Sequence, residues 1–253
     1  MALHVERLGA GPDLVMLHGW GLHGGVWQSL APRLSGSFRL HLVDLPGHGH
    51  SRDVPFGELD AVVDAVAAVA PEGSAVCGWS LGGLLALRLA SRHPARAVAL
   101  ALVSATPCFV ERPGWPHAMA RETLRDFAAA LAADPGTTIG RFVNLNALGG
   151  PQARDRMREL AALVVDRGTP SRAALAAGLA LLEGTDLREE IASIERPATV
   201  IHGGRDALAP VEAGRWLAKR LPSARYREIA DAAHLPFVSH AEVVASALEA
   251  LHG

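Results

Sequence analysis

Ser74-Ala75-Val76-Cys77-Gly78-Trp79-Ser80-Leu81-Gly82-Gly83-Leu84-Leu85-Ala86-Leu87-Arg88-Leu89-Ala90 is the stretch whose reading decides the fold. Ser74-Ala75-Val76-Cys77 is short, apolar and β-branched, as a buried strand should be. Leu84 to Ala90 is built of good helix formers. Between them lies Gly78-Trp79-Ser80-Leu81-Gly82, a G-x-S-x-G pentapeptide extended by Gly83. The glycines let the chain turn sharply, so that Ser80 is held at a strained backbone angle at the tip of the turn. A bare G-x-S-x-G is weak evidence in a glycine-rich chain. A strand before it and a helix after it make it a nucleophile elbow.

Outward from the elbow, strands and helices alternate. Leu14 to Leu17, Leu40 to Asp44 and Val98 to Val103 read as strands, and Phe56 to Ala70 as an amphipathic helix. This alternation predicts an α/β fold with a doubly wound, mostly parallel sheet. Ligand sites in such sheets lie at the carboxyl ends of the strands, where His18-Gly19, Asp44 and Ser80 fall. From about Glu111 to Glu183 the periodicity is helical, punctuated at Pro113, Pro116, Pro135-Gly136, Gly149-Gly150-Pro151 and Gly168. That stretch reads as an inserted helical cap over residues 109–185, with the core formed by 1–108 and 186–253. Ala198 to His202 and Arg225 to Ala230 complete the strands, and Pro236 to Leu251 reads as a final helix.

The bulk properties narrow the function classes. At 253 residues and 49% hydrophobic content, one large α/β domain with an insertion is feasible. A formal charge of −2 argues against nucleic acid as partner. No apolar run reaches the ~18 residues that suggest a membrane span. Met1 to Arg7 lacks a basic segment leading into an apolar core, so no signal peptide and a cytoplasmic location are expected. Cys77 and Cys108 form neither a disulfide framework nor a metal motif and read as small buried hydrophobes. Neither H-E-x-x-H, clustered Cys/His nor Gly-Lys-Ser/Thr occurs, so no metal, phosphate loop or cofactor is expected. Lys219, the single lysine among many arginines, reads as coding bias.

A serine hydroxyl needs a base to take its proton and an acid to orient that base. His234, in the loop between the last strand and last helix, is the candidate base. The acid should follow a strand between Ser80 and His234, and Asp206 does, in His202-Gly203-Gly204-Arg205-Asp206. Asp231 shares the histidine's own loop, and Asp186 reads as a helix cap. His240 and His252 read as surface residues, and His18, His48 and His50 as shapers of loops. An oxyanion hole would come from the N–H of Leu81, at a helix N-terminus, and that of Trp20 in Leu17-His18-Gly19-Trp20-Gly21. The Trp20 indole could wall an acyl pocket or merely pack its loop.

With these residues in hand the chain resembles the α/β-hydrolase superfamily. More narrowly it is similar to the pimeloyl-acyl carrier protein methyl ester esterase family of biotin synthesis. The resemblance spans nearly the whole chain. It rests on Leu17 to Leu22, Leu40 to Gly47, Gly78 to Gly83, Pro107-Cys108-Phe109 with Trp115-Pro116, Arg141-Phe142, Thr185 to Arg188 and Ala232 to Phe237. It implies a carboxylesterase that cleaves a methyl ester from a pimeloyl chain carried on acyl carrier protein. It further implies carrier docking by cap arginines, which match Arg141, Arg154 and Arg158 here, and an acyl channel lined by Phe142-Val143-Asn144-Leu145-Asn146. Leu208 joins Trp20, Ser80, Leu81 and His234 in the expected substrate site. Arg154 and Arg158 are four residues apart, on one helix face. From Thr137 to Arg158 the arginines are Arg141, Arg154, Arg156 and Arg158, against Asp155 alone. A further cap arginine of the family aligns with Thr137, which departs from the pattern. A solvated helix face accounts for the same charges without a partner.

Two rival functions remain open at this level. A general carboxylesterase, or a hydrolase of another small ester or carbon–carbon bond, would keep Ser80, Asp206 and His234 but need no carrier. A non-catalytic receptor on the same fold would need none of the three. Dehalogenases are disfavoured, because they place a carboxylate where Ser80 stands.

Overall fold

A computed structural model describes residues 2–147 and 167–251. The strands are β1 (Val5–Leu8), β2 (Asp13–Leu17), β3 (Arg39–Val43), β4 (Ala75–Trp79), β5 (Ala99–Val103), β6 (Ala198–Gly203) and β7 (Ala224–Ile229). They form one sheet in the order β1-β3-β2-β4-β5-β6-β7. Every neighbouring pair is parallel except β1 with β3, which is antiparallel with Val5 opposite Val43. Every residue of β4 and β5 is buried, because helices cover both faces of the central strands. β7 alternates exposed and covered residues, as a strand at the edge should.

Among the described residues the helices are α1 (Ala31–Leu34), α2 (Leu59–Val69), α3 (Leu81–Arg92), α4 (Arg121–Ala133), α5 (Pro135–Ala147), α6 (Arg172–Gly184), α7 (Val211–Arg220), α8 (Pro236–Ser239) and α9 (Ala241–Glu249). α3 crosses from β4 to β5 and buries Leu84, Leu85, Leu87 and Leu89 completely. Each such side chain contributes roughly 1.5–3 kcal/mol relative to exposure. The helices α4, α5 and α6 all fall between β5 and β6, so the insertion enters after one central strand and leaves before the next. None of the helices searched is long and apolar enough to cross a membrane.

The structure departs from the sequence reading in three places. β1 was not anticipated: four residues containing Glu6 and Arg7, half-covered at a sheet edge, carry little apolar signal. The expected helix from Phe56 begins at Leu59, after an extended Glu58 (φ −60°, ψ 164°). The expected single helix from Pro236 is two, broken at His240 (φ −135°, ψ 49°). There Ser239 Oγ–H donates to His240 Nδ1 at 2.8 Å, and His240 Nε2 lies 3.1 Å from Asp231 Oδ1. These side-chain bonds compete with the helix backbone. They also leave the His240 side chain only 19% exposed, so it is not the surface residue expected.

Candidate active site

Ser80 joins β4 to α3 with φ 54° and ψ −116°, one of two non-glycine residues of positive φ among those described. Such a backbone costs on the order of 1–3 kcal/mol and persists only where its surroundings over-determine it. Here they do. The Ser80 N–H donates to Val103 O at 3.0 Å, and its carbonyl accepts from Gly83 and Leu84. The turn is so tight that a Cβ on Gly78 would lie 2.2 Å from Gly82 O, and one on Gly82 2.2 Å from Leu17 O. The two flanking glycines of the pentapeptide are therefore needed for close approach of backbone to backbone. The other positive-φ residue is Ser104 (φ 46°), buried at the end of β5.

His234 Nδ1–H donates to Asp206 Oδ2 at 2.7 Å, with both side chains buried. The other carboxylate oxygen, Oδ1, accepts from the Leu208 and Ala209 N–H groups, each at 2.9 Å. Burial alone would raise the Asp206 acid; His234, then His202 and the Ala209 N–H, outweigh it and hold the carboxyl below the usual carboxylate range. The bond at Nδ1 leaves Nε2 of a neutral His234 as the acceptor. Trp79 Nε1–H donates to the His234 carbonyl at 2.8 Å, which ties the histidine loop to the elbow. His202, which sequence reasoning passed over, donates from Nε2 to Ala209 O at 2.9 Å and lies 3.5 Å from Asp206 Oδ2. It braces the loop whose amides hold the acid. Asp231 is set aside by the structure, since its half-exposed carboxylate meets His240 instead.

Ser80 and His234 open into a common cavity of about 100 Å³. From the core side it is lined by Trp20 and Leu208, and from the insertion by Phe109, Met119, Thr123, Leu124, Phe127, Phe142, Leu179 and Leu182. Apart from Ser80, His234 and Thr123, every described lining residue is apolar or aromatic. Such a wall suits a hydrocarbon chain bearing one reactive group. Of the expected substrate residues, Trp20, Ser80, Phe142, Leu208 and His234 line it. Leu81 is fully buried as the first residue of α3, where its N–H has no carbonyl within the helix to meet. Sequence reasoning missed Phe109, Met119 and Thr123, and with them the apolar helical residues Leu124, Phe127, Leu179 and Leu182. The signal of the latter was present as large apolar residues on one face of amphipathic helices, but nothing local says which face meets the elbow.

The Trp20 indole walls the cavity and ties its loop to α6: its Nε1–H donates to Leu175 O at 2.9 Å. His18 shapes the same loop. Its Nδ1–H donates to Gly19 O at 2.8 Å and its Nε2 accepts from Leu45 N–H at 2.9 Å. Burial, then His48, lowers His18 from 6.5 to about 3, so the ring is neutral. Burial likewise lowers His48 from 6.5 to about 4.

Several candidates stand elsewhere. Asp44, at its strand end, does not line the cavity. Its carboxylate accepts from Gly24 N–H (2.7 Å) and His50 N–H (2.9 Å), and Arg167 bridges it to Glu6. Asp186 caps no helix; it accepts from the Arg188 guanidinium at 2.7 and 2.8 Å and from the Arg188 N–H. Arg141 is exposed on α5. Thr137 N–H donates to Asp134 Oδ1 at 3.1 Å at the start of that helix. Arg154, Arg158 and His252 lie outside the described residues, as do the side chains of Val143, Asn144, Leu145 and Asn146, whose backbone continues α5. Cys77 and Cys108 are free and buried, and burial pushes the Cys77 thiol up. Among the described residues no three His, Cys, Asp or Glu side chains gather in a way that could hold a metal ion.

Strand-end serine, histidine and buried acid on a parallel sheet with a helical insertion define a class, and comparison with known proteins agrees. The profile of the alpha/beta hydrolase fold matches residues 12–241, and the chain belongs to that family. Its relatives narrow the class. A pimeloyl-[acyl-carrier protein] methyl ester esterase of Chromobacterium violaceum is 46% identical over 248 residues, covering 98% of this chain and 97% of the relative. One of Nitrosomonas europaea is 44% identical over 253 residues and 99% of each chain. Among solved structures, an esterase from Exiguobacterium antarcticum superposes with a TM-score of 0.90 at 23% identity, over 99% of this chain and 96% of that one. A bromoperoxidase from Bacillus anthracis also reaches 0.90, at 21% identity, over 99% and 95% of the two chains. At such identities the likeness is one of fold, which hosts more than one chemistry.

Proposed function

We propose that this chain is a serine carboxylesterase that hydrolyses the methyl ester of pimeloyl-acyl carrier protein in biotin synthesis. The observation that carries the reading is the His234–Asp206 pair, bonded at 2.7 Å, with His234 opening into the same apolar cavity as Ser80. Ser80 Oγ attacks the ester carbonyl while His234 Nε2 takes its proton. Asp206 keeps the imidazole in the correct tautomer and stabilises the imidazolium. The tetrahedral oxyanion is received by the N–H groups of Leu81 and Trp20. Collapse expels methanol, protonated by His234. Water, activated by the same histidine, then releases the acid from Ser80.

In this reading residues 1–108 and 186–253 form the catalytic core, and 109–185 form a cap over it. The cap lines the acyl channel through Phe142 and the stretch Val143 to Asn146. Its outer face receives the acidic carrier through Arg141, Arg154 and Arg158. Thr137, in place of a family arginine, leaves that face less basic. The reaction is placed in the cytoplasm, where carrier-linked acyl chains are built. Small esters serve as surrogate substrates.

The test compares kcat/KM for pimeloyl-acyl carrier protein methyl ester with that for p-nitrophenyl butyrate. At least a tenfold preference for the carrier substrate is expected, together with restored growth of a biotin-requiring strain that lacks this esterase. Equal rates and no growth would leave a general carboxylesterase. Failure of a serine-directed phosphonate to label Ser80 would overturn the enzyme reading.

A further inference from the structure

Trp20 stands in a core loop, yet three helices of the insertion hold its side chain. Phe127 of α4 and Phe142 of α5 meet the indole edge-on, with ring centroids 5.5 and 4.9 Å away. Leu175 of α6 accepts its Nε1–H. One turn further along α6, a Cβ built on Gly178 would lie 2.7 Å from Trp20 Cδ1 and 3.1 Å from Nε1. The same Cβ would lie 3.9 Å from Leu81 Cδ2. Gly178 therefore faces the side chains of both residues whose amides are proposed to receive the oxyanion.

A glycine in mid-helix destabilises by roughly 0.5–1 kcal/mol relative to alanine. Gly178 has no positive φ that would call for glycine. Space is what it provides. An alanine methyl at 2.7 Å from a ring carbon cannot be accommodated without movement. The Trp20 ring is 2% exposed and flanked by two aromatic rings, so it cannot swing away freely. Displacement passes to the Trp20 backbone or to α6.

We infer that Gly178 is a positioning residue for catalysis: it lets α6 seat the Trp20 ring beside Leu81, so that the helical insertion sets the two oxyanion donors. The inference rests on the proposed function, in which those amides act at the reacting centre. It gives the insertion a task besides binding, because the seating of α6 is felt at the oxyanion even with a substrate too small to need the insertion. Donors act within a narrow window of about 2.7–3.1 Å, so a shift of a few tenths of an ångström is costly.

The experiment uses the full chain and p-nitrophenyl butyrate, with a trifluoromethyl ketone as transition-state probe. That ketone adds to Ser80 Oγ and carries the oxyanion. Gly178→Ala is expected to lower kcat ~10–100-fold, part of the ~10²–10³ lost with a whole donor, while KM stays within ~3-fold. Its Ki for the ketone should rise by the factor that kcat/KM falls. Trp20→Ala removes both ring atoms that the new methyl meets. Adding Gly178→Ala to Trp20→Ala should therefore lower kcat no more than ~2-fold further, a non-additivity diagnostic of contact. Wild-type kcat in Gly178→Ala, an unchanged Ki, or equal losses in both backgrounds would overturn the inference. If Gly178→Ala shows no cooperative melting transition, Trp20→Phe alone decides. It gives up the bond to Leu175, and wild-type kcat and Ki there would equally overturn it. A wild-type chain without esterase activity would instead sink the proposed function, which keeps the two failures distinct.

Discussion

Across the cavity the sheet and the insertion face each other with opposite chemistry. The sheet side contributes a hydroxyl, an imidazole and, behind it, a carboxylate, each fixed by backbone hydrogen bonds or glycine-permitted turns at strand ends. The insertion side contributes Phe127, Phe142, Leu179 and Leu182, apolar side chains of α4, α5 and α6. Reacting groups need placement to a few tenths of an ångström, which a hydrogen-bonded sheet provides. An apolar wall needs volume and dryness, which amphipathic helices supply with looser tolerance. The Trp20 indole crosses the divide, as a core residue bonded to α6.

The sharpest way to break this division is on the sheet side. Ser80→Ala should lower hydrolysis of p-nitrophenyl butyrate by on the order of 10⁵–10⁶, with an unchanged melting temperature. Activity within tenfold of wild type would remove Ser80 from the mechanism. Asp206→Asn should cost ~10⁴ in kcat through the wrong histidine tautomer. Asp231→Asn, whose carboxylate meets His240 instead, should stay within a few-fold. The reverse ranking, with both variants folded, would reassign the acid.

Acid should also expose the core side. His18 and His48 are held at about 3 and about 4, first by burial, against 6.5 for an exposed imidazole. Both are neutral in the folded chain. Below pH 6.5 the unfolded chain takes up protons that the folded chain does not, so stability falls as pH drops toward 4. His48 alone withdraws on the order of 3 kcal/mol by that point. Thermal melts from pH 7 to 4.5 should show the decline; a flat profile would mean that these rings accept charge when folded.

Changes confined to the insertion should be gentler and fall on binding. Met119→Ala thins the cavity wall and forfeits ~1–2 kcal/mol of apolar contact, raising KM for an acyl ester ~5–30-fold with kcat retained. An equal fall in kcat would show that this wall also orients the reacting carbonyl. Smallest of all, Arg141→Ala on the exposed face of α5 should raise KM for the carrier-linked ester only ~2–3-fold. Salt should reproduce that loss in wild type, since the Debye length falls to ~3 Å at 1 M. No change for the small ester is expected, and an equal change would place Arg141 in cap packing rather than docking.

The elbow could be read from the sequence because its requirements are local. Glycines where backbones touch, β-branched residues before them and helix formers after them are demands made within some seventeen residues. Strand ends likewise carried Asp206 and His234, since a parallel sheet gathers such ends on one edge. β1 escaped because a short, half-covered edge strand needs little apolar patterning. The break at His240 escaped because it depends on Asp231 coming within 3.1 Å in space. Asp44 was misjudged for a related reason: a carboxylate at a strand end is also what a buried turn needs to satisfy its amides.

Sequence alone thus determined the parallel strands, the helical stretch between β5 and β6, and which serine, histidine and acid to propose, because backbone conformation and topology answer to near neighbours and hydrophobic period. Only the tertiary structure decided which faces of α4, α5 and α6 close the cavity, and that Gly178 lies against Trp20 and Leu81. Trp20 and Leu175 are 155 residues apart. Contacts at such separation are chosen by the packing of whole helices, and no short pattern of residues records them.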